Sequence, residues 1–211
     1  MKQIHVVTDS TSDLPDDLAL ELEIPVVPCL VYCGQECYRD GVDLKPAEFY
    51  QRLASSPILP HTSGPAVGDF VSTYRGLLKQ ESCEGIVSIH VSGKLSGTLN
   101  AAWTAAQAVD QPDKIKIIDS MSVSMGMGWI VIKAGQLAQE GAGLEEITGA
   151  VHRLLSQSRV VAMADTLENL KRGGRIGHIS ALLGTALQIK PLIGVQDGEV
   201  IVWDKVRTKA R

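Results

Sequence analysis

The sequence predicts an α/β fold with a mainly parallel sheet flanked by helices, followed by a second domain of α+β type. Short β-branched and aliphatic runs alternate with longer segments that have helical apolar spacing. This alternation of predicted strands and helices is typical of βαβ units. The rhythm changes after about residue 158, where two β-rich runs surround an Asp-Gly turn signal. We therefore divide the chain into residues 1–158 and residues 159–211, and we expect the second domain to be incomplete at its C-terminus.

Each element of the first domain is predicted from a local pattern. Asp13 and Pro15 supply an N-cap and a first turn for the first helix, and Asp16 and Asp17 follow them. Residues 38–41 (YRDG) are predicted to form a turn. Short β-branched runs predict strands at residues 4–8, 24–31, 85–91 and 114–119. Apolar spacing predicts helices at residues 16–22, 45–54, 68–81, 98–109, 126–139 and 144–156.

The second domain is predicted from a different order of elements. A strand at residues 160–163 and a short helix at 167–172 precede the flexible turn Gly173-Gly174-Arg175, and an apolar helix then runs to Leu187. Asp197-Gly198 joins two β-rich runs into a hairpin, and the last six residues have the pattern of another helix start.

Composition and charge exclude several classes of protein. The chain has 211 residues, 45% of them hydrophobic, and a formal net charge of −4. A nucleic-acid-binding protein needs a basic face, so this balance predicts no nucleic-acid partner. No apolar run reaches the roughly 18 residues of a membrane span, and no signal-peptide pattern precedes the first strand. We therefore expect a soluble, cytoplasmic protein without stable membrane insertion.

Polar loops follow predicted strands or extended segments and precede helices at four places. In open α/β sheets such loops meet at the carboxyl edge of the strands, and helix N-termini there favour anions. Ordinary helix capping or core packing is the alternative at each place. The candidate ligand-binding residues in these loops are Thr62, Ser63, Ser96, Gly97 and Thr98, and the candidate supporting residues are Asp9, Ser10 and Ser120.

Two chemical alternatives are weaker. A serine-dependent esterase could use Ser96, but Lys94 stands where a nucleophile elbow has glycine, and none of the five histidines is identifiable as its base. A metal site could use Cys29, Cys33 and Cys37, but the short spacing typical of zinc ligands is missing. We predict free thiols, including Cys83, with no metal and no cofactor. No Walker loop is present.

Seven motifs in register resemble the DegV family, and the similarity runs through essentially the whole chain. They are residues 9–15 (DSTSDLP), 38–43 (YRDGVD), 62–65 (TSGP), 95–98 (LSGT), 119–120 (DS) with Gly126 and Gly128, 170–176 (LKRGGRI) and 189–191 (IKP).

The resemblance implies a two-domain α/β protein that binds one long-chain fatty acid, such as palmitate, between its domains and is not itself an enzyme. It also implies that the protein is an acyl carrier for a separate fatty acid kinase, which converts the bound carboxylate to an acyl phosphate. Thr62 and Ser96 would contact the carboxylate, with Ser63, Gly97 and Thr98 close by. The basic turn containing Lys171, Arg172 and Arg175 is a candidate docking site for the partner, or simply a solvated surface.

The chain departs from the family pattern in two respects. The family often has glutamine where this chain has Gly64, and we expect the glycine to enlarge or loosen the pocket. Family chains usually continue for several tens of residues beyond Arg211, and that part would close the second domain.

Overall fold

A four-stranded parallel sheet is the centre of the fold in the computed structural model, which describes residues 3–177, 179 and 189–207. Its strands lie in the order β2-β1-β6-β7. The strands of the protein are β1 (Gln3–Asp9), β2 (Val26–Val27), β3 (Leu30–Cys33), β4 (Glu36–Arg39), β5 (His61–Ser63), β6 (Cys83–His90), β7 (Ile115–Asp119), β8 (Val161–Met163), β9 (Ile189–Gln196) and β10 (Glu199–Arg207).

Helices cover both faces of the parallel sheet. On one face, α3 and α4 bury Phe70 and Ala102 against Val7 of β1, and on the other, α5 and α6 bury Met127 and Ile147. Successive β1 residues therefore face opposite layers, as alternation along a strand requires. The helices are α1 (Asp16–Glu21), α2 (Pro46–Ser55), α3 (Val67–Leu78), α4 (Thr98–Gln107), α5 (Met125–Gln139), α6 (Leu144–Leu155) and α7 (Glu168–Arg172).

A small antiparallel sheet, in the order β4-β3-β5, differs from two of the sequence predictions. The single strand predicted at residues 24–31 is wrong, because the chain forms β2 and β3 in two different sheets on either side of Pro28, which has no N–H to donate. The turn predicted at residues 38–41 is also wrong in part. Tyr38 pairs with Val31 in β4, and the chain turns only beyond Arg39.

A second antiparallel sheet, in the order β10-β9-β8, follows in the chain. Asp197 and Gly198 both have positive φ, at 50° and 79°, which matches the predicted two-residue hairpin turn between β9 and β10. The helix start predicted for the last six residues is wrong for Val206 and Arg207, which pair with β9 instead. The apolar helix predicted to run to Leu187 lies mainly in residues 180–188, which are outside the part of the chain that the structure describes.

The parallel sheet, its flanking helices and the antiparallel sheets confirm the predicted fold class. The division of the chain at residue 158 stays a prediction.

Substituting Gly128 by alanine will destabilise the protein, because a Cβ there would lie 2.5 Å from the carbonyl oxygen of Ser12. That contact packs the start of α5 against the turn that follows β1. We expect the free energy of unfolding in urea to fall by about 1–3 kcal/mol.

Gly76 provides the matched control in α3. A Cβ there would meet no atom within 4 Å, so Gly76→Ala will raise the free energy of unfolding by about 0.5–1 kcal/mol through helix propensity. Equal effects of the two substitutions would contradict this account of the packing at Gly128.

Candidate functional site

A cavity of about 660 Å³ lies beside the carboxyl ends of β1 and β6. Its wall combines residues from segments that follow strands of the parallel sheet, from the small antiparallel sheet, from α2, from the segment around α7 and from β10. The lining residues are Thr11, Cys29, Asp40, Phe49, Leu53, Leu59, Pro60, His61, Thr62, Ser63, Val91, Leu95, Ser96, Val123, Asn169, Leu170, Arg172, Gly173, Arg175 and Val200.

The predicted ligand-binding hydroxyls divide into two groups. Thr62, Ser63 and Ser96 line this cavity, so the structure brings together the loops that contain them. Thr98 is buried behind Ser96, and their hydroxyl oxygens are 2.9 Å apart. Gly97 lies with Ser96 on the wall of a neighbouring hollow of about 360 Å³. The Thr98 hydroxyl thus fixes the position of the Ser96 hydroxyl, whereas Gly97 faces the neighbouring hollow and not the larger cavity.

Gly64 closes the gap between the β5 loop and the start of α4. A Cβ at Gly64 would lie 2.8 Å from the Thr98 hydroxyl oxygen and 3.1 Å from its backbone nitrogen. The missing side chain therefore allows a close approach between the β5 loop and the start of α4. The expectation that this glycine enlarges or loosens the pocket stays a prediction.

The Asp9 carboxylate, which is completely buried, joins the ends of β1 and β6. One oxygen accepts the backbone N–H of Val91 at 3.2 Å and lies 3.0 Å from Nδ1 of His90. The other oxygen accepts the N–H of Thr11 at 3.0 Å and also its hydroxyl. Since Thr11 and Val91 both line the cavity, Asp9 fixes two parts of the cavity wall.

A buried chain of polar groups continues from Asp9. His90 Nε2 lies 2.7 Å from the Ser88 hydroxyl, which lies 2.9 Å from the Tyr74 hydroxyl. Burial raises the pKa of Asp9, but the hydrogen bonds from His90, Thr11 and Val91 outweigh it, so the pKa lies below its usual value. The Asp–His–Ser order resembles a catalytic triad, yet Ser88 has no exposed surface and does not line the cavity.

The roles of His90 and Ser88 were not predicted from the sequence. Both occur in a strand that is otherwise almost wholly apolar, two residues apart and therefore on one face. Polar side chains inside a buried strand need partners, and this is the signal that could have directed the search to the polar end of β1.

The predicted supporting residues hold loops without lining the cavity. The Ser10 hydroxyl accepts the N–H of Cys29 at 3.1 Å. The Ser120 hydroxyl accepts the N–H of Ser122 and donates to its carbonyl oxygen, both at 3.2 Å. Asp9 supports the wall as described above.

The basic turn contributes two arginines to the cavity wall. Arg172 and Arg175 line it, whereas Lys171 is exposed and does not. Nε of Arg175 donates to the carbonyl oxygen of Leu95 at 3.1 Å, directly before Ser96. The C-terminal hairpin holds the same loop, because the Ser92 hydroxyl donates to the carbonyl oxygen of Gly198 at 2.8 Å.

The cysteines do not form a shared site. All four are free thiols, and burial raises the pKa of Cys29 in the cavity wall to about 11, which keeps the thiol protonated and unreactive. Across the part of the chain that the structure describes, no cluster of histidine, cysteine and acidic residues has the arrangement of a metal site. The same residues contain no helix that is long and apolar enough to cross a bilayer.

Together, the sheet order and the mainly apolar cavity define an α/β protein with a ligand-sized cavity at the carboxyl edge of a parallel sheet. The chain belongs to the DegV family: the pattern described as "Uncharacterised protein, DegV family" matches residues 3–211. A DegV domain-containing protein of Caldanaerobacter subterraneus subsp. tengcongensis is 38% identical over 207 residues, which are 98% of this chain and 72% of that protein.

Three similar solved structures are described as fatty-acid-binding proteins. The DegV family protein of Thermus thermophilus, described as fatty acid binding, is 40% identical with a TM-score of 0.89, covering 98% of this chain and 72% of that one. The stearic acid-binding protein of Eubacterium ventriosum is 29% identical with a TM-score of 0.88, covering 99% and 72%. DegV of Bacillus subtilis, a fatty acid binding protein, is 31% identical with a TM-score of 0.87, covering 99% and 73%.

Asp9→Asn will lower the free energy of unfolding by about 3 kcal/mol at pH 7, because it removes the charge from a buried pair. Since folding lowers the pKa of Asp9, its stabilising contribution is present above about pH 4 and is lost as the pH falls through the folded pKa. Urea unfolding between pH 3 and 7 should therefore show a smaller loss of stability towards acid in the variant.

The exposed Asp110 is the control for this substitution. Asp110→Asn should change the free energy of unfolding by less than about 0.5 kcal/mol. If Asp9→Asn were as stable as Asp110→Asn, the hydrogen bonds of Asp9 would not be what holds the ends of β1 and β6 together.

Proposed function

We propose that this protein binds one long-chain fatty acid in the cavity of about 660 Å³ and presents its carboxylate to a separate fatty acid kinase, without catalysing a reaction itself. The observation that carries the proposal is that one cavity combines an apolar wall with hydroxyl and guanidinium groups. The fatty acids bound by similar family members support the same ligand class.

The apolar wall suits an alkyl chain. Phe49, Leu53 and Leu59 come from α2 and the segment after it, and they face Val91 and Leu170 in one cavity. Its volume falls within the roughly 300–1,000 Å³ usual for small-molecule sites. Burying about fourteen methylenes at about 0.8 kcal/mol each provides on the order of 10 kcal/mol before ordering costs.

The polar residues suit a carboxylate. The hydroxyls of Thr62 and Ser96 can donate to carboxylate oxygens, and Arg172 and Arg175 add positive charge to the same cavity. The Ser63 hydroxyl lies close by and donates to the carbonyl oxygen of Gly64 at 3.2 Å. We place the carboxylate between Thr62 and Ser96, because these residues stand on facing loops that Gly64 and Thr98 bring into contact. Arg175 supports this arrangement through its hydrogen bond to Leu95.

A serine-dependent esterase at Ser96 is the alternative, and the geometry favours it less. The Ser96 hydroxyl is engaged with the Thr98 hydroxyl and accepts the Thr98 N–H at 3.3 Å. His61 lines the same cavity but stacks on Tyr32, with ring centroids 4.7 Å apart. Within the described ranges, no histidine makes a hydrogen bond to Ser96 that would activate it as a nucleophile.

Ser96→Ala and Thr62→Ala will each weaken palmitate binding about 10- to 100-fold, because each removes a hydrogen bond to a charged group, worth about 1.5–3 kcal/mol. Isothermal titration calorimetry measures the change. Thr104→Ala, which removes an exposed hydroxyl from the outer face of α4, should bind like the wild type. Ester hydrolysis that is lost in Ser96→Ala would favour the esterase instead.

Acyl phosphate should form from ATP and palmitate only when this protein and a cognate fatty acid kinase are both present. Lys171→Glu tests docking separately from binding, since Lys171 is exposed and outside the cavity wall. We expect the variant to bind palmitate normally but to support acyl phosphate formation at least about tenfold more slowly, by loss of electrostatic complementarity.

Lys79→Glu at the end of α3 is the control with the same charge change. It should leave both binding and acyl phosphate formation unchanged. Acyl phosphate made by this protein alone would contradict the carrier role, and equal rates for the two lysine variants would contradict docking at the basic turn.

A further inference from the structure

One acidic side chain in the cavity wall is not used by the proposed function. Asp40 follows β4 and lines the cavity together with Thr62, Ser63 and Ser96. Its backbone N–H donates to the carbonyl oxygen of Cys29 at 2.9 Å, which fixes the residue beside the parallel sheet. An anionic ligand in this cavity therefore has a carboxylate for a neighbour.

The surroundings of Asp40 disfavour its charge. Burial raises the pKa of Asp40, the carboxylates of Asp13 and Asp9 raise it further, and hydrogen bonds from Ser10 and Gly41 only partly oppose these effects. Asp9 already has four hydrogen bonds of its own, so its charge stays fixed beneath the cavity. Over the described residues, no lysine or arginine forms an ion pair with Asp40.

Asp43, three residues further on, has the opposite environment. It forms a bidentate pair with Arg39, with both distances 2.8 Å, and this pair lowers the pKa of Asp43 to about 2. Asp43 is therefore a carboxylate outside the cavity that stays charged at neutral pH. Asp40 lines the cavity and has no ion-pair partner among the residues that the structure describes.

We propose that Asp40 takes up one proton when an anionic ligand enters the cavity, so that the protein binds its fatty acid with Asp40 in the neutral form. Two carboxylates that share one site resist a second negative charge, and the site then keeps one proton. The inference rests on the proposed function, since it requires an acid in this cavity, and it identifies the residue that takes up the proton.

The neutral carboxyl would also change what Asp40 can do. A carboxylate only accepts hydrogen bonds, whereas a protonated carboxyl donates one, so Asp40 would change from a repelling neighbour to a hydrogen-bond donor in the ligand complex. The other charged or titratable groups around Asp40 belong to several elements and are Asp9, Asp13, Cys29, His61, Arg172 and Arg175.

Calorimetric titration in buffers of different ionisation enthalpy counts the protons taken up on binding. The probes are palmitate and hexadecane sulfonate, whose head group stays anionic throughout and cannot hold the proton itself. Between pH 5 and 9 the wild type should take up close to one proton with either probe over part of the range. Over that part of the pH range, the affinity of the wild type for either probe should fall by up to about tenfold per pH unit as the pH rises.

The variants identify the group that holds the proton. Asp40→Asn should bind sulfonate without proton uptake, with an affinity that no longer falls as the pH rises. Asp43→Asn and His61→Gln should keep the uptake of the wild type. Uptake that disappears in His61→Gln but persists in Asp40→Asn would overturn the proposal.

The titrations distinguish a failure of proton uptake by Asp40 from a failure of fatty acid binding. If both probes bind the wild type with no proton uptake at any pH, the inference about Asp40 is wrong, while the proposed function stands. If neither probe binds the wild type or any variant at any pH, the proposed function is wrong and the inference falls with it. If Asp40→Asn fails to fold, the wild type and His61→Gln still decide: no uptake in the wild type, or loss of the uptake in His61→Gln, would overturn the inference.

Discussion

The hydrogen bonds of one buried carboxylate hold the cavity wall together. Asp9 stands at the end of β1 and binds the end of β6 through His90 and Val91, and it binds the turn after β1 through Thr11. A buried charge of this kind is costly unless its oxygens are fully engaged, so the surrounding backbone has little freedom to move. The positions of the other loops follow from this fixed edge.

Two further sets of contacts build on that edge. On one side, the close approach of Gly64 to Thr98 brings the β5 loop to the start of α4. On the other, Arg175 and the Gly198 hairpin turn hold the loop that contains Ser96. Elements that are far apart in sequence thus place hydroxyl and guanidinium groups around one cavity. A rigid polar region of this type pays little reorganisation cost when a carboxylate arrives.

Local patterns in the sequence predict much of the fold, and tertiary contacts explain where they do not. Apart from β2, the strands and helices of the parallel sheet follow from apolar periodicity, and the hairpin turn follows from Asp197-Gly198. The turn pattern around Asp40 predicted a turn that begins too early in the chain. Tyr38 pairs instead with Val31 of the neighbouring strand, a contact that the local pattern does not contain. The polar loops could be identified as candidates, but the partnership of His90 with Asp9 joins residues 81 positions apart.

Mass spectrometry of material extracted with organic solvent from the purified protein shows directly whether the cavity holds a fatty acid. We expect about one long-chain fatty acid per protein molecule. We also expect a clear loss of that fatty acid in Leu53→Asp, which would place a charge in the apolar wall. Extracts without fatty acid, from protein that also fails to take up added palmitate, would show that the protein is not a fatty acid carrier. A fatty acid content that Leu53→Asp leaves unchanged would show that the acid binds elsewhere than in this cavity.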